Sequence, residues 1–221
     1  MDKKNEHPIE TIIFDLDGTL LDTLDDLYES VNAALKKAGY PTRSRGEVRR
    51  FLGNGIRRLM EQSVPAGIST ERMDMVFEDF KAYYIEHCED RTRPFDGILE
   101  VLRELKEKGL SMAIVSNKAD LAVKELSEKY FDGIISVAIG EREGVKRKPE
   151  PDSVLEAMRI LGAEKETTIY IGDSEVDRAT AENAGVPCVL VAWGFRDEKF
   201  LSSLGADYLI HRPEEILKIV F

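Results

Sequence analysis

Asp15 and Asp17 stand two residues apart in the run Phe14-Asp15-Leu16-Asp17-Gly18-Thr19-Leu20. Carboxylates can ligate hard cations, attack electrophiles and carry protons. Gly18 lets the chain turn sharply and bring backbone N–H groups close to a ligand. Alternate acids beside such a turn suit a hard cation together with a phosphate. Taken alone, the same residues are also ordinary turn chemistry, with Asp17 or Thr19 capping a local element. Further candidates are Ser116-Asn117-Lys118, Lys146-Arg147-Lys148-Pro149 and Gly172-Asp173-Ser174-Glu175-Val176-Asp177. Each has a structural alternative. Ser116-Asn117 and Asp173-Ser174 could be helix caps, and Lys146–Lys148 a solvated basic patch.

The elements that must position these residues follow from periodicity. Ile9–Phe14 mixes apolar and β-branched residues as a buried strand does. From Leu110 onward strands and helices alternate. Leu110–Val115, Ile134–Ile139, Thr168–Ile171, Val186–Ala192 and Tyr208–Ile210 read as strands. Ala119–Tyr130, Pro151–Leu161, Val176–Ala184, Glu198–Leu204 and Pro213–Val220 read as helices between or after them. Such alternation predicts an α/β fold, a doubly wound, Rossmann-like parallel sheet with helices on both faces. Asp15 then follows the first strand, Ser116 the second and Asp173 the fourth, with Lys148 in the loop after the third. All strand ends of one kind share an edge, where such sheets bind ligands.

The interval from Asp15 to Gly109 is too long for one crossover. Leu24, Leu27, Val31, Leu35 and Ala38 fall at helical spacing; Ile56, Leu59 and Met60 mark a second helix; Met73, Val76, Phe77, Phe80 and Tyr84 mark a third. The expected organisation is an α/β core of residues 1–21 and 94–221, interrupted by an all-helical insert of residues 22–93. The insert is expected to act as a lid, hinged near Asp22–Leu24 and Arg93–Gly97.

With 42 acidic against 31 basic residues the net charge is −11, which disfavours non-specific binding to nucleic acid or anionic membranes. No stretch reaches the length of a membrane helix, and Met1–His7 lacks the apolar core of a signal peptide. Cys88 and Cys188 do not make a disulfide framework, and a lone His87 offers Cys88 no triad. The expectation is a cytoplasmic protein, monomer or homodimer, with packing cysteines. His7, His87 and His211 have no metal-ligand spacing.

The four signatures Asp15-Leu16-Asp17-Gly18-Thr19, Ser116-Asn117-Lys118, Lys148-Pro149 and Gly172–Asp177 stand in an order that resembles the haloacid dehalogenase superfamily, and within it the phosphoglycolate phosphatase-like group. The resemblance implies a Mg2+-dependent phosphomonoester hydrolase of a small phosphorylated metabolite. Asp15 would be the nucleophile, forming an aspartyl-phosphate, and Asp17 the acid and base. Mg2+ would be held by Asp15, Asp173 and the backbone carbonyl of Asp17, with Asp177 binding directly or through water. Ser116, Asn117, Thr19 and Lys148 would hold phosphate, Lys146 and Arg147 being close competitors to Lys148. Phe51-Leu52-Gly53-Asn54-Gly55-Ile56-Arg57 resembles the cap loop of the same group, making Asn54, Gly55 and Arg57 candidate substrate contacts. It could equally be a helix start with exposed arginines. Trp193-Gly194-Phe195-Arg196 also matches, and is read as loop packing. Asp17 argues against a dehalogenase, which needs no leaving-group proton. A phosphomutase of the β-phosphoglucomutase type, a pyrophosphatase or a nucleotidase remain alternatives. A receiver-type signalling module fits poorly, since its acceptor follows the third strand.

Overall fold

A computed structural model describes residues 8–221 of the chain. His7 and the rest of Met1–His7 lie outside the described residues. In chain order, β1 (Thr11–Phe14) and β2 (Leu21–Asp22) precede four helices, α1 (Leu24–Lys37), α2 (Arg45–Phe51), α3 (Gly55–Ser63) and α4 (Thr70–His87). After β3 (Arg93–Pro94) come α5 (Ile98–Glu107), β4 (Ser111–Ala119), α6 (Asp120–Phe131), β5 (Val137–Glu141) and α7 (Asp152–Leu161). The chain ends with β6 (Thr168–Gly172), α8 (Glu175–Ala184), β7 (Cys188–Val191), α9 (Glu198–Ser202), β8 (Tyr208–Ile210) and α10 (Glu215–Val220). Two compact units result, one ending at Leu20 and resuming at Pro94, the other spanning Leu21–Arg93.

The first unit is built on a six-stranded parallel sheet ordered β5-β4-β1-β6-β7-β8. Counting its strands along the chain, the order is 3-2-1-4-5-6, the doubly wound arrangement. The direction of winding reverses between β1 and β6. Both strands are buried throughout, as strands covered on two faces must be. On one face Ile13, Val115, Ile139, Tyr170 and Leu190 pack with Val154, Ala157 and Ala181 of α7 and α8. The alternate residues Ile12, Phe14, Ile114 and Ile171 are fully buried on the other, and α6 packs against β4 and β5.

The second unit is helical, with α1 against α4 and α2, and α3 against α2 and α4. Val31, Leu35, Leu59, Met60, Val76 and Phe80 form its buried stripes. It has four helices where apolar spacing indicates three. The additional one, α2, buries only Val48, too little to show a period. Its legible sign is the capping box Ser44-Arg45-Gly46-Glu47, in which Ser44 accepts the Glu47 N–H and Glu47 accepts that of Ser44.

Polar side chains close this unit. Asn32 exchanges two hydrogen bonds with the Arg43 backbone, at 3.0 and 2.8 Å. Asp26, buried on α1, accepts the N–H groups of Arg91 (3.0 Å) and Thr92 (2.8 Å) and the Thr92 hydroxyl (2.8 Å). Its removal strands buried donors. Asp26→Ala is therefore expected to destabilise the protein by about 2–4 kcal/mol. Asp25→Ala breaks an Arg45 ion pair of 2.6 Å that is solvent-exposed, and is expected to cost less than about 1 kcal/mol. Urea denaturation of the two variants checks this; equal losses would remove Asp26 as the anchor.

Candidate active site

Asp15 is the first residue beyond β1, and its N–H donates to Ile171 O of β6 at 2.8 Å. Asp173 is the first residue beyond β6. The two acids are thus delivered side by side at the point where the strand order reverses, the place where such sheets open a crevice. Between them the chain turns back through Gly18, at φ 86°, with the Thr19 and Leu20 N–H groups donating to Leu16 O. Gly18 is needed for a second reason: a Cβ there would lie 2.5 Å from Asp173 Oδ2. The Thr19 hydroxyl is buried without a hydrogen-bond partner.

Lys148 is the hub. Its Nζ lies 2.7 Å from Asp15 Oδ1 and 2.8 Å from Asp177 Oδ1, and donates to Tyr170 OH at 3.0 Å. An ammonium has three N–H donors, and these three partners match them. Lys146 is exposed beside Glu150, so of the three adjacent cations the fold selects Lys148. Asp177 spends both oxygens on protein donors. Oδ1 takes Lys148 and Tyr170 OH, the latter at 3.1 Å; Oδ2 takes Ser174 Oγ at 2.6 Å and the N–H groups of Asp173 and Ser174. The helix cap of α8 is Ser174, in a capping box with Asp177, and not Asp173.

Two expectations need correction. Ser116 and Asn117 do not stand at a helix entrance. An irregularity between Val115 and Ala119 lets β4 run on to Ala119, and α6 begins at Asp120. Neither residue caps α6, whose N-cap Ala119 makes no side-chain bond. Ser116 Oγ accepts the Lys118 N–H at 3.2 Å, and Asn117 Nδ2 donates to Lys148 O at 3.1 Å, tying that strand end to the Lys148 loop. Asn117 Oδ1 is buried without a partner. Trp193-Gly194-Phe195-Arg196 is more than packing: Phe195 N donates to Asp173 Oδ2 at 2.6 Å.

Lys118 carries no sequence signal that sets it apart from other lysines. Its Nζ is buried and lies 3.1 Å from Asp17 Oδ1. Tyr170 was missed because a strand tyrosine carries no signal beyond apolar bulk. Asn54, Gly55 and Arg57 belong to the helical unit. Asn54 is the N-cap of α3 without a side-chain bond, and Gly55 opens that helix. Arg57 pairs with Asp74 at 2.7 Å and stacks over Phe77. His87 and His211 pair with Asp90 and Glu198. Burial pushes the Cys188 thiol up, consistent with an inert packing residue.

Asp15, Asp173 and Asp177 each place a carboxylate oxygen within 4.8 Å of the others, all buried. Two of these carboxylates pair with the Lys148 ammonium, and an oxygen-only donor set of this kind suits a hard divalent cation. The residues therefore fit a metal of that class. Without it, burial raises the Asp15 carboxyl to about 7, opposed by Lys148 and reinforced by Asp177. Burial, with Asp177 and Asp15 beside it, raises Asp173 as well, opposed by the Phe195 N–H and Arg196. Burial works the other way on Lys148, but Asp15 and Asp177 hold its pKa above the ordinary value. For Asp177, Lys148, Ser174 and Tyr170 outweigh burial and lower the pKa.

A carboxyl raised in the folded state stabilises it below the ordinary value of 3.8 and loses that contribution as pH rises through about 7. Asp177 acts oppositely, but only below its ordinary range. The metal-free protein is therefore expected to melt at progressively lower temperature from pH 5 to 8. Asp15→Asn should flatten that slope and stabilise the protein at pH 8 by roughly 1–3 kcal/mol, a few degrees in Tm. Thermal melts in EDTA check this. A wild-type Tm that rises over the window, with Asp15→Asn the less stable protein, would refute the electrostatic account.

Among the described residues no helix is long and apolar enough to cross a membrane. Residues 12–191 match the family of haloacid dehalogenase-like hydrolases. The phosphoglycolate phosphatase of Aquifex aeolicus is 31% identical over 217 residues, covering 96% of this chain and 97% of that one. A pyrophosphatase of Halalkalibacterium halodurans is also 31% identical, over 96% and 97%. Among solved structures, a proposed phosphoglycolate phosphatase from Lactobacillus delbrueckii subsp. bulgaricus aligns with TM-score 0.92 at 33% identity, covering 97% of this chain and 99% of that one. With its parallel sheet wound as that family requires and its four signatures gathered at one edge, the chain belongs to the haloacid dehalogenase-like hydrolases and is a phosphatase-type member similar to the phosphoglycolate phosphatases.

Proposed function

We propose that the protein hydrolyses a small phosphomonoester, with phosphoglycolate the first candidate, through a phosphoryl group carried on Asp15. The observation that supports this best is Lys148, buried between Asp15 and Asp177 beside Asp173. It gives one carboxylate a fixed orientation, with a cation where phosphoryl charge would gather. Asp15 and Asp173, with the main-chain carbonyl of Asp17, would hold Mg2+. Once bound, Mg2+ reduces the repulsion between the Asp15 carboxylate and an anionic phosphate. Asp177, with both oxygens committed to protein donors, serves through Lys148 and Ser174 or through water.

Asp15 attacks phosphorus as the bond to the leaving oxygen breaks, and that oxygen takes a proton from the Asp17 carboxyl group. Water then attacks the phosphoryl group and returns a proton to Asp17. Phosphate leaves, and the Asp15 carboxylate is restored. Lys118 holds the Asp17 side chain toward this chemistry. Ser116 and Asn117 flank the phosphate, and Thr19 offers a buried hydroxyl without a protein partner. Asn54, Gly55 and Arg57 on the helical unit would read the rest of the substrate. Arg57 must then share its guanidinium with Asp74.

A second substrate, pyrophosphate, is suggested by the Halalkalibacterium pyrophosphatase, which has the same identity and coverage as the Aquifex phosphoglycolate phosphatase. A panel of phosphoglycolate, pyrophosphate, p-nitrophenyl phosphate, a hexose phosphate and a nucleotide, scored by phosphate release, decides. Turnover should need Mg2+ and fall about 100-fold or more in excess EDTA. Higher kcat/KM on phosphoglycolate supports the first candidate, and on pyrophosphate the second. Isomerisation of the hexose phosphate without phosphate release would indicate a mutase. Full turnover after metal removal would refute the proposal.

A further inference from the structure

The segment that follows β7 is joined to both acidic loops of the site. Trp193 Nε1 donates to Thr19 O at 3.0 Å, and Phe195 N donates to Asp173 Oδ2 at 2.6 Å. Arg196 grips Glu175 with a two-pronged fork, Nε to Oε2 at 2.7 Å and the second nitrogen to Oε1 at 2.9 Å. Glu175 opens α8, two residues beyond Asp173. The backbones are in close approach. A Cβ on Gly194 would stand 2.5 Å from Gly18 O and would overlap the Asp173 side chain. A Cβ on Gly18 would stand 2.5 Å from Asp173 Oδ2 and 2.9 Å from the Phe195 ring. Asp173 Oδ2 is thus enclosed by two glycines and bound by a short main-chain N–H.

A ligand carboxylate needs none of this simply to offer an oxygen. The enclosure does something more specific: it commits one oxygen and prevents the group from swinging. Mg2+ demands a near-ideal octahedron of six oxygens, whereas Ca2+ accepts six to eight and takes carboxylates through one oxygen or both. A carboxylate with one oxygen bound by a 2.6 Å hydrogen bond and walled in by two glycine backbones is matched to the smaller ion. We propose that the Trp193–Arg196 segment sets the metal selectivity of the site by holding Asp173 to a single ligand oxygen, an inference that rests on the acidic cluster being the cation site. Trp193, Gly194, Glu175 and Arg196 act through Asp173 and are positioning residues. The Arg196–Glu175 fork holds the segment to α8, and Trp193 holds it to the first loop. A planar bidentate pair of this kind gives geometric definition as well as attraction.

The test is the affinity of the metal-stripped full-length protein for Mg2+ and for Ca2+, each measured by isothermal titration calorimetry. Wild type is compared with Trp193→Phe, which keeps the ring packing and removes the N–H, with Glu175→Gln, which loosens the fork, and with Gly194→Ala, which wedges a methyl group against Asp173. Metal-free melts establish that each variant is folded; if Gly194→Ala is not, the other two decide. The expected result is Mg2+ binding weakened by about 10-fold or more with Ca2+ binding changed by less than about threefold, so that selectivity for Mg2+ falls. A merely structural contribution would move both affinities by the same factor. Equal changes for the two ions, or no change in either, would overturn the proposal. Asp173→Asn separates it from the reading it rests on. Undiminished Mg2+ binding in that variant would overturn the cation site itself. Loss of binding there, with an unchanged Mg2+ to Ca2+ ratio in the segment variants, would overturn the selectivity claim alone.

Discussion

The buried ammonium of Lys148 is the interaction on which the site depends. It is held by Asp15, Asp177 and Tyr170 at 2.7–3.0 Å, with its side chain 4% exposed. An isolated charge at that depth would be untenable; Asp177 and Tyr170 keep Lys148 paired even when Asp15 is neutral, so Asp15 is the carboxylate in excess. The arrangement is also unbalanced by design of the sequence: Asp173 adds a third buried carboxylate to the cluster. Structure and function diverge here. The metal-free protein carries an electrostatic strain that a divalent cation would relieve, a pattern common where stability yields to chemistry.

Sheet topology is what makes so dense a cluster possible. Asp15 and Asp173, 158 positions apart in sequence, arrive from strands paired in register, Phe14 opposite Ile171. Only a parallel sheet with its first and fourth strands adjacent brings their C-terminal ends together. The remaining distance is closed by small residues. Gly172 leaves no side chain where Asp177 reaches back, and Gly18 and Gly194 let three loops share the space around Asp173. Substituting any of these is therefore a change to the site, even though none carries a functional group.

The α/β core was legible because each buried strand is an unbroken apolar run and each following helix has a regular stripe. The acids at the strand ends could be ranked because they sit after those runs. Residues whose importance comes from long-range hydrogen bonds were not legible. Tyr170 reads as core, and Phe195 contributes a backbone N–H that no residue type announces. A polar pair before a periodic stretch, such as Ser116-Asn117, is the usual helix cap, and periodicity alone cannot show otherwise. The irregularity that carries β4 through them is a tertiary effect, set by pairing of Ala119 with Glu141 on β5. The helix α2 escaped notice because one buried valine makes no pattern. Asp177 is the instructive case: its spacing from Asp173 marks it as a candidate ligand, but nothing in the sequence announces that it also holds Lys148 and the turn of Asp173-Ser174.

The central claim is that Asp15 carries the phosphoryl group and Asp17 handles the protons, although the two are alike in chemistry and two residues apart. With p-nitrophenyl phosphate the leaving group needs little protonation, so the first step should survive Asp17→Asn while the second, which needs a base for water, stalls. Rapid-quench mass spectrometry of Asp17→Asn and Asp15→Asn after mixing with Mg2+ and this ester is the direct measurement. The account predicts one phosphoryl group on Asp15 in the Asp17→Asn protein, formed with a burst of p-nitrophenol, and none on Asp15→Asn. A phosphorylated Asp15→Asn protein, or a phosphoryl group on any other residue of Asp17→Asn, would contradict it.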